Sequence, residues 1–222
     1  MILDEKINVL KTRLINYATL VEVMIDKSMQ GILKKDRKLL TEIIERDEPK
    51  TNDFEIEIEE ACTTFIAQYE PKAKDLRTIL MILKINNDLE RIGDHAGNIA
   101  ESGLFLIEKP DVKPLIDIPE MAENSMKMLK DSINSFINED ALLAKSVCER
   151  DSAVDHLLEK IIQELSTFMM RDASIIDSSM QLIRVAQNLE RIADLSTNIC
   201  EDVIYMVEGR VIKHHKEEMP NN

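Results

Sequence analysis

An internal repeat constrains this chain more than any other feature. Residues 85–101, INNDLERIGDHAGNIAE, return at 185–201 as VAQNLERIADLSTNICE. At an offset of 100, Leu89, Glu90, Arg91, Ile92, Asp94, Asn98, Ile99 and Glu101 meet identical residues at Leu189, Glu190, Arg191, Ile192, Asp194, Asn198, Ile199 and Glu201. Any two amphipathic helices share apolar spacing. Matched Glu, Asp and Asn at polar positions are more than that spacing requires. A chain of 222 residues made of two copies has room for two domains of about 100 residues each.

Periodicity fills in each copy. Ile7, Leu10, Leu14, Tyr17, Val21 and Met24 recur at steps of three and four and predict a first helix over 3–31, its end loosened by Gly31. A second pattern over 35–70 carries Leu39, Leu40, Ile43, Ile44, Phe54, Ile58, Cys62 and Phe65, with a kink or short break predicted at Pro49. Pro71 suits the first turn of a third helix over 72–107. The second half repeats this plan over 119–137, 141–170 and 174–209, with Asp140 as an N-cap and a frayed polar end from Lys213. Prolines 110, 114 and 119 interrupt helix between the copies. The expected organisation is all-α: a three-helix bundle over 1–109, a proline-containing linker over 110–118, and a second antiparallel three-helix bundle over 119–222.

Charge narrows the possible partners. The net charge is −14, from 28 basic and 42 acidic residues, and such a surface repels nucleic acid and anionic lipid. It also disfavours free phosphate unless a cation is bound. Cations and basic protein patches are the natural complements. No run of 18 apolar residues crosses a membrane, and the amino terminus lacks a signal-peptide pattern, so a cytoplasmic protein is expected. Cys62, Cys148 and Cys200, odd in number and far apart in sequence, fit reduced, buried thiols better than a disulfide frame.

At about 100° per residue, Ile85, Leu89, Ile92, Ala96 and Ile99 form one packing seam. Glu90, Asp94, Asn98 and Glu101 lie together on the other side. A solvated acidic face is the ordinary reading of such a stripe. Two features oppose it here. Leu83 and Phe105, like Ile183 and Tyr205 in the second copy, flank the acids and imply a covered helix. Like charges one turn apart also repel by a few tenths of a kcal/mol, yet both copies keep the pair. A cation held between the carboxylates removes that repulsion. Two carboxylates are too few, so a second helix should contribute: Asp53 and Glu57 in the first half, Asp151 and Asp155 in the second. Asn98, Asn198, Glu101 and Glu201 extend the stripe and are placed to hydrogen-bond a ligand or its water. His95, replaced by Leu195 in the second copy, reads as structural, and Arg91 and Arg191 as local ion-pair partners. All-oxygen donors suit iron, manganese, magnesium or calcium, and zinc less comfortably.

The motif L-E-R-I-x-D-x-x-x-N-I, twice, resembles the PhoU family of phosphate-uptake regulators. GILKKDRKLLTEIIERDE, FEIEIEEACTTFIA and RDSAVDHLLEKI are also similar to family segments, so the likeness covers nearly the whole chain. The resemblance implies two tandem three-helix bundles and metal clusters at a repeated Glu/Asp-x-x-x-Asp motif. That motif falls on Glu90, Asp94, Glu190 and Asp194, and by extension on Asp53, Glu57, Asp151 and Asp155. It further implies a non-enzymatic negative regulator of phosphate uptake and of the phosphate-starvation response, set between the ATPase subunit of a phosphate ABC transporter and a sensor histidine kinase, and a homodimer. The sequence departs from a clean repeat where Glu57 stands against Asp155 and where Pro49 has no counterpart.

Other classes fit less well. A carboxylate-bundle iron-handling protein needs Glu-x-x-His pairs, and none of the four histidines has Glu three residues before it. Phosphate-cradling loops, a nucleophile elbow and paired-cysteine zinc motifs are missing from the sequence. A metal-free structural helical protein stays open on the residues alone.

Overall fold

A computed structural model describes residues 2–208; the end from Lys213, expected to fray, lies outside the described residues. The helices are α1 (Ile2–Leu33), α2 (Arg37–Glu42), α3 (Glu48–Tyr69), α4 (Lys74–Leu106), α5 (Asp117–Asn138), α6 (Ala141–Cys148), α7 (Asp151–Arg171) and α8 (Ile176–Glu208). A π-helical turn, Ile43–Asp47, joins α2 to α3, and a 3-10 turn, Ala173–Ile175, precedes α8. In each half a long first helix and a two-piece second helix pack on a long third helix, giving an antiparallel three-helix bundle. The third helices, α4 and α8, also pack on one another. One hydrophobic cluster therefore runs through both halves. This is why the repeat is apolar on nearly all sides: each copy is covered by its own bundle and by the other copy. The predicted seam, Ile85, Leu89, Ile92, Ala96 and Ile99, is fully buried.

Local chemistry sets the helix boundaries. Asp36 accepts from the backbone N–H groups of Lys38 and Leu39 at 2.9 and 3.2 Å, and Asp140 from those of Leu142 and Leu143 at 3.0 Å each. Such caps satisfy donors that the first helical turn leaves free. Pro49 directly follows the π turn, so the kink or break expected there takes the form of a locally widened turn in one continuous helical path. Pro71, by contrast, precedes α4, which begins only at Lys74 after Ala73 at φ 48°. The helix expected over 141–170 is in two pieces, broken at Glu149 and Arg150. Arg150 spans the break, reaching Asp131 at 2.7 Å and the Ser146 carbonyl at 3.3 Å. Gly31 does not loosen α1, which continues to Leu33. A Cβ there would lie 2.5 Å from Leu40 Cδ2, so glycine lets α2 fold back closely onto α1.

The π turn explains why the halves do not superpose by a constant offset. Asp36, Leu40 and Ile43 correspond to Asp140, Ala144 and Val147, an offset of 104. Thr51, Ile58 and Cys62 correspond to Val154, Ile161 and Leu165, an offset of 103. The first half thus holds one extra residue between these segments. A π turn absorbs one residue without breaking the helical path. Lys27 of α1 pins it, reaching Asp47 at 2.8 Å and Glu42 at 3.2 Å, while Lys50 reaches Asp47 at 3.0 Å.

Candidate functional site

In the second half the four predicted carboxylates lie on adjoining helices. Glu190 and Asp194 are one turn apart on α8, and Asp151 and Asp155 occupy the first two turns of α7. Burial holds the Glu190 carboxyl above the usual carboxylate range, and the negative charges of Asp194, Asp155 and Asp151 add to that effect. Arg191 opposes it from 3.6 Å and also pairs with Asp194 at 3.0 Å, the local ion pair expected from the sequence. Glu190 therefore carries a charge that its surroundings disfavour, first through burial and then through the neighbouring carboxylates.

In the first half Asp53 and Glu57 are exposed, as Asp155 is in the second. Glu57 lines a groove between α1 and α3, of about 410 Å³, with Lys6, Arg13 and Phe65. The α3 acids whose charge reaches the repeat are Glu48 and Glu55. Burial raises the Glu90 carboxyl, with Asp94 and Glu55 adding to it. Burial likewise raises Glu48, with Asp94 and Glu101 adding. Glycine at 97 makes room for Glu48, since a Cβ there would stand 3.0 Å from Glu48 Oε2. Beneath them Tyr17 is fully buried and stacked on Phe54 with ring centroids 5.4 Å apart. Burial pushes its phenol up, and the charges of Glu90, Glu55 and Asp94 push it further.

The extra residue decides which α3 residues correspond to the acids of α7. Aligning Glu45-Arg46-Asp47 with Glu149-Arg150-Asp151 would nominate Asp47, but Asp47 is buried against Lys27 and Lys50. After the π turn, Glu48 takes the place that Asp151 holds in the second half, as the first residue of its helix. Asn52 then stands against Asp155 and supplies no charge.

The remaining polar residues of the stripe lie along the α4–α8 contact. Arg184 reaches Asn98 at 3.4 Å and Glu101 at 3.7 Å. His95 Nδ1 and Asn188 Oδ1 are 2.8 Å apart, so His95 is a structural bridge between the halves. Asn198 and Glu201 line a groove with Lys84, Asp88 and Asp202. From its spacing Asp88 reads only as an ion-pair partner of Arg91, three residues away. It stands where the other copy has Asn188, and the residue equivalent to His95 is Leu195, which donates no hydrogen bond.

Among the described residues, no three His, Cys, Asp or Glu side chains converge closely enough to hold a metal ion. The donor chemistry of the α7–α8 set is nevertheless of the kind a hard cation takes: four carboxylates from two helices, with the proton affinity of Glu190 raised by burial and further by its acidic neighbours.

Fold and site together define a two-repeat helical protein whose third helices meet at the centre and carry paired acids. The chain belongs to the PhoU family: the PhoU domain matches residues 14–103 and again 118–203. It is 42% identical over 205 residues to a phosphate-specific transport system accessory protein PhoU homolog of Aquifex aeolicus (strain VF5), covering 92% of each chain. It is 31% identical to the phosphate-specific transport system accessory protein PhoU of Escherichia coli (strain K12), covering 92% of this chain and 85% of that one. The crystal structure of PhoU from Pseudomonas aeruginosa superposes with a TM-score of 0.89 at 31% identity, over 93% of this chain and 99% of the other.

Proposed function

We propose that this chain is a non-enzymatic negative regulator of phosphate uptake and of the phosphate-starvation response. It works in the cytoplasm as a metal-binding adaptor between the ATPase subunit of a phosphate ABC transporter and a sensor histidine kinase. The observation that carries the reading is the match of both halves to one family domain, with relatives named as phosphate transport accessory proteins along nine-tenths of the chain. The architecture supports it. Long helices offer broad faces to partner helices, and a net charge of −14 suits basic patches on them. No helix among the described residues is long and apolar enough to cross a membrane, so attachment to a transporter would go through a protein contact.

In this reading Asp151, Asp155, Glu190 and Asp194 would hold a divalent or trivalent cation. Oxygen donors favour iron, manganese or magnesium over zinc. A bound cation would cancel the repulsion among these carboxylates and tie α7 to α8. The working unit is proposed to be a homodimer.

Deletion of the gene tests the regulatory role. Alkaline phosphatase expression and phosphate uptake should rise in phosphate-replete medium, and the transporter ATPase and a histidine kinase should co-purify with the tagged chain. Unchanged phosphatase expression with neither partner recovered would refute the proposal.

A further inference from the structure

Polar contacts across the α4–α8 junction pair Lys84 with Asp202, His95 with Asn188 and Asn98 with Arg184, so the two helices run antiparallel. The repeat therefore brings the same positions together twice. Leu83, Lys84, Asp88, Asn198 and Glu201 line a groove of about 440 Å³. At the offset of 100 their counterparts are Ile183, Arg184, Asn188, Asn98 and Glu101.

The two sets of side chains are used differently. Arg184 crosses the junction and reaches Asn98 at 3.4 Å and Glu101 at 3.7 Å. Asn188 beside it donates to the Arg184 carbonyl at 2.7 Å and lies 2.8 Å from His95 Nδ1. In the other set Lys84 turns instead to Asp202 at 2.6 Å, a residue whose counterpart is Ser102. Asp88, Asn198 and Glu201 are then left with no hydrogen-bond or ion-pair partner among the described residues. Asp88 is nevertheless only 8% exposed, and it lines the groove. A carboxylate buried without a partner is costly, and Asn188 shows that the fold does not require a charge at this position.

We propose that this groove is the receptor for one arginine side chain presented by a basic surface of a protein partner. The choice of a protein as its source rests on the adaptor reading above; the arginine site itself does not. Among the described residues no three acidic, histidine or cysteine side chains converge on one point, which disfavours a metal ion. A guanidinium is planar, with several N–H donors in a fork, and serves acceptors that are spread apart. Asp88 on α4 and Asn198 and Glu201 one turn apart on α8 are such acceptors. Arg184 on Asn98 and Glu101 is the same pairing made inside the chain. The groove carries carboxylates in excess, and its one lysine is held by Asp202. Leu83 offers an apolar edge to the methylenes of the incoming side chain.

Two titrations of the full chain test this. In the first, N-ethylguanidinium chloride is added to isotope-labelled protein and followed by amide NMR, with N-ethylammonium chloride as the control for charge alone. Ethylguanidinium should shift the amides of Lys84, Asp88, Asn198 and Glu201 in one saturable step, and ethylammonium should not. Asp88→Asn, which installs the residue that the other copy already has, should stay folded and lose the step. In the second, the purified transporter ATPase subunit is titrated by calorimetry. Asp88→Asn should weaken its binding by about thirtyfold or more. Asp26→Asn, which removes the same charge from an exposed position on α1, should change it by less than about threefold. Shifts missing from the wild type, or unchanged in Asp88→Asn, would overturn the arginine site. ATPase binding that Asp88→Asn leaves intact would overturn the docking role while the adaptor reading stands. A wild type that binds no ATPase subunit would refute the adaptor reading and with it the protein source of the arginine, and the NMR step then decides the groove.

Discussion

Asp88→Asn should stabilise this protein at neutral and alkaline pH and change nothing in acid. Asp88 is buried at the α4–α8 contact, and burial, with Asp202 adding to it, pushes its carboxyl from 3.8 up to about 7. Lys84 and Arg91 pull the other way, but Lys84 is itself committed to Asp202 at 2.6 Å. Because the folded chain holds this proton more tightly than the unfolded chain, the benefit is complete below the unfolded value. It is lost progressively as pH rises through about 7. That interval corresponds to about 4 kcal/mol of penalty on the charged form, a ceiling that local rearrangement lowers. The second repeat carries the isostere already: Asn188 donates to the Arg184 carbonyl at 2.7 Å, and Asn at 88 has the Lys84 carbonyl one turn back in the same register. Urea denaturation at pH 4, 6 and 8 provides the measurement. The variant should match the wild type at pH 4 and exceed it by about 2–4 kcal/mol at pH 8. Equal stabilities at pH 8, or a variant weaker at every pH, would refute the reasoning.

Other parts of the structure give independent tests by the same denaturation assay. Asp47→Ala leaves Lys27 with Glu42 alone at the π turn and should cost about 1.5–3 kcal/mol at neutral pH through the lost charged hydrogen bonds. Burial alone would raise the Asp47 carboxyl, but hydrogen bonds from Lys27 and Lys50 hold it below the usual range. The deficit of the variant should therefore shrink only as pH falls below about 3.8, the unfolded value. Gly31→Val forces side-chain atoms into Leu40 and should cost about 1–3 kcal/mol, with part of the loss recovered in a Leu40→Ala background. Asp140→Ala should cost about 1 kcal/mol through the lost cap of α6.

Apolar periodicity and the offset repeat carry most of this fold. The seam Ile85, Leu89, Ile92, Ala96 and Ile99 is buried as its spacing requires, and Asp140 caps a helix because its carboxylate is the right length at the right place. The mutual packing of α4 and α8 was visible only as apolar residues on too many faces. What stayed hidden depends on a local change of helical register. One extra residue in the π turn rotates α3, bringing Glu55 toward Glu90 and Glu48 toward Asp94 and Glu101. No periodicity argument that assumes one α-helix across Pro49 reproduces that rotation. The burial of Asp88 was hidden for a different reason, since it depends on which residues face one another between helices far apart in sequence.

Metal content of the purified chain and its variants tests the central claim most directly. By elemental analysis after loading and desalting, the wild type should retain metal. Asp53→Asn with Glu57→Gln should retain it equally, and Glu190→Gln with Asp194→Asn should lose the α7–α8 share while staying folded. A wild type that holds no metal, or a Glu190→Gln, Asp194→Asn protein that holds as much as the wild type, would contradict the account.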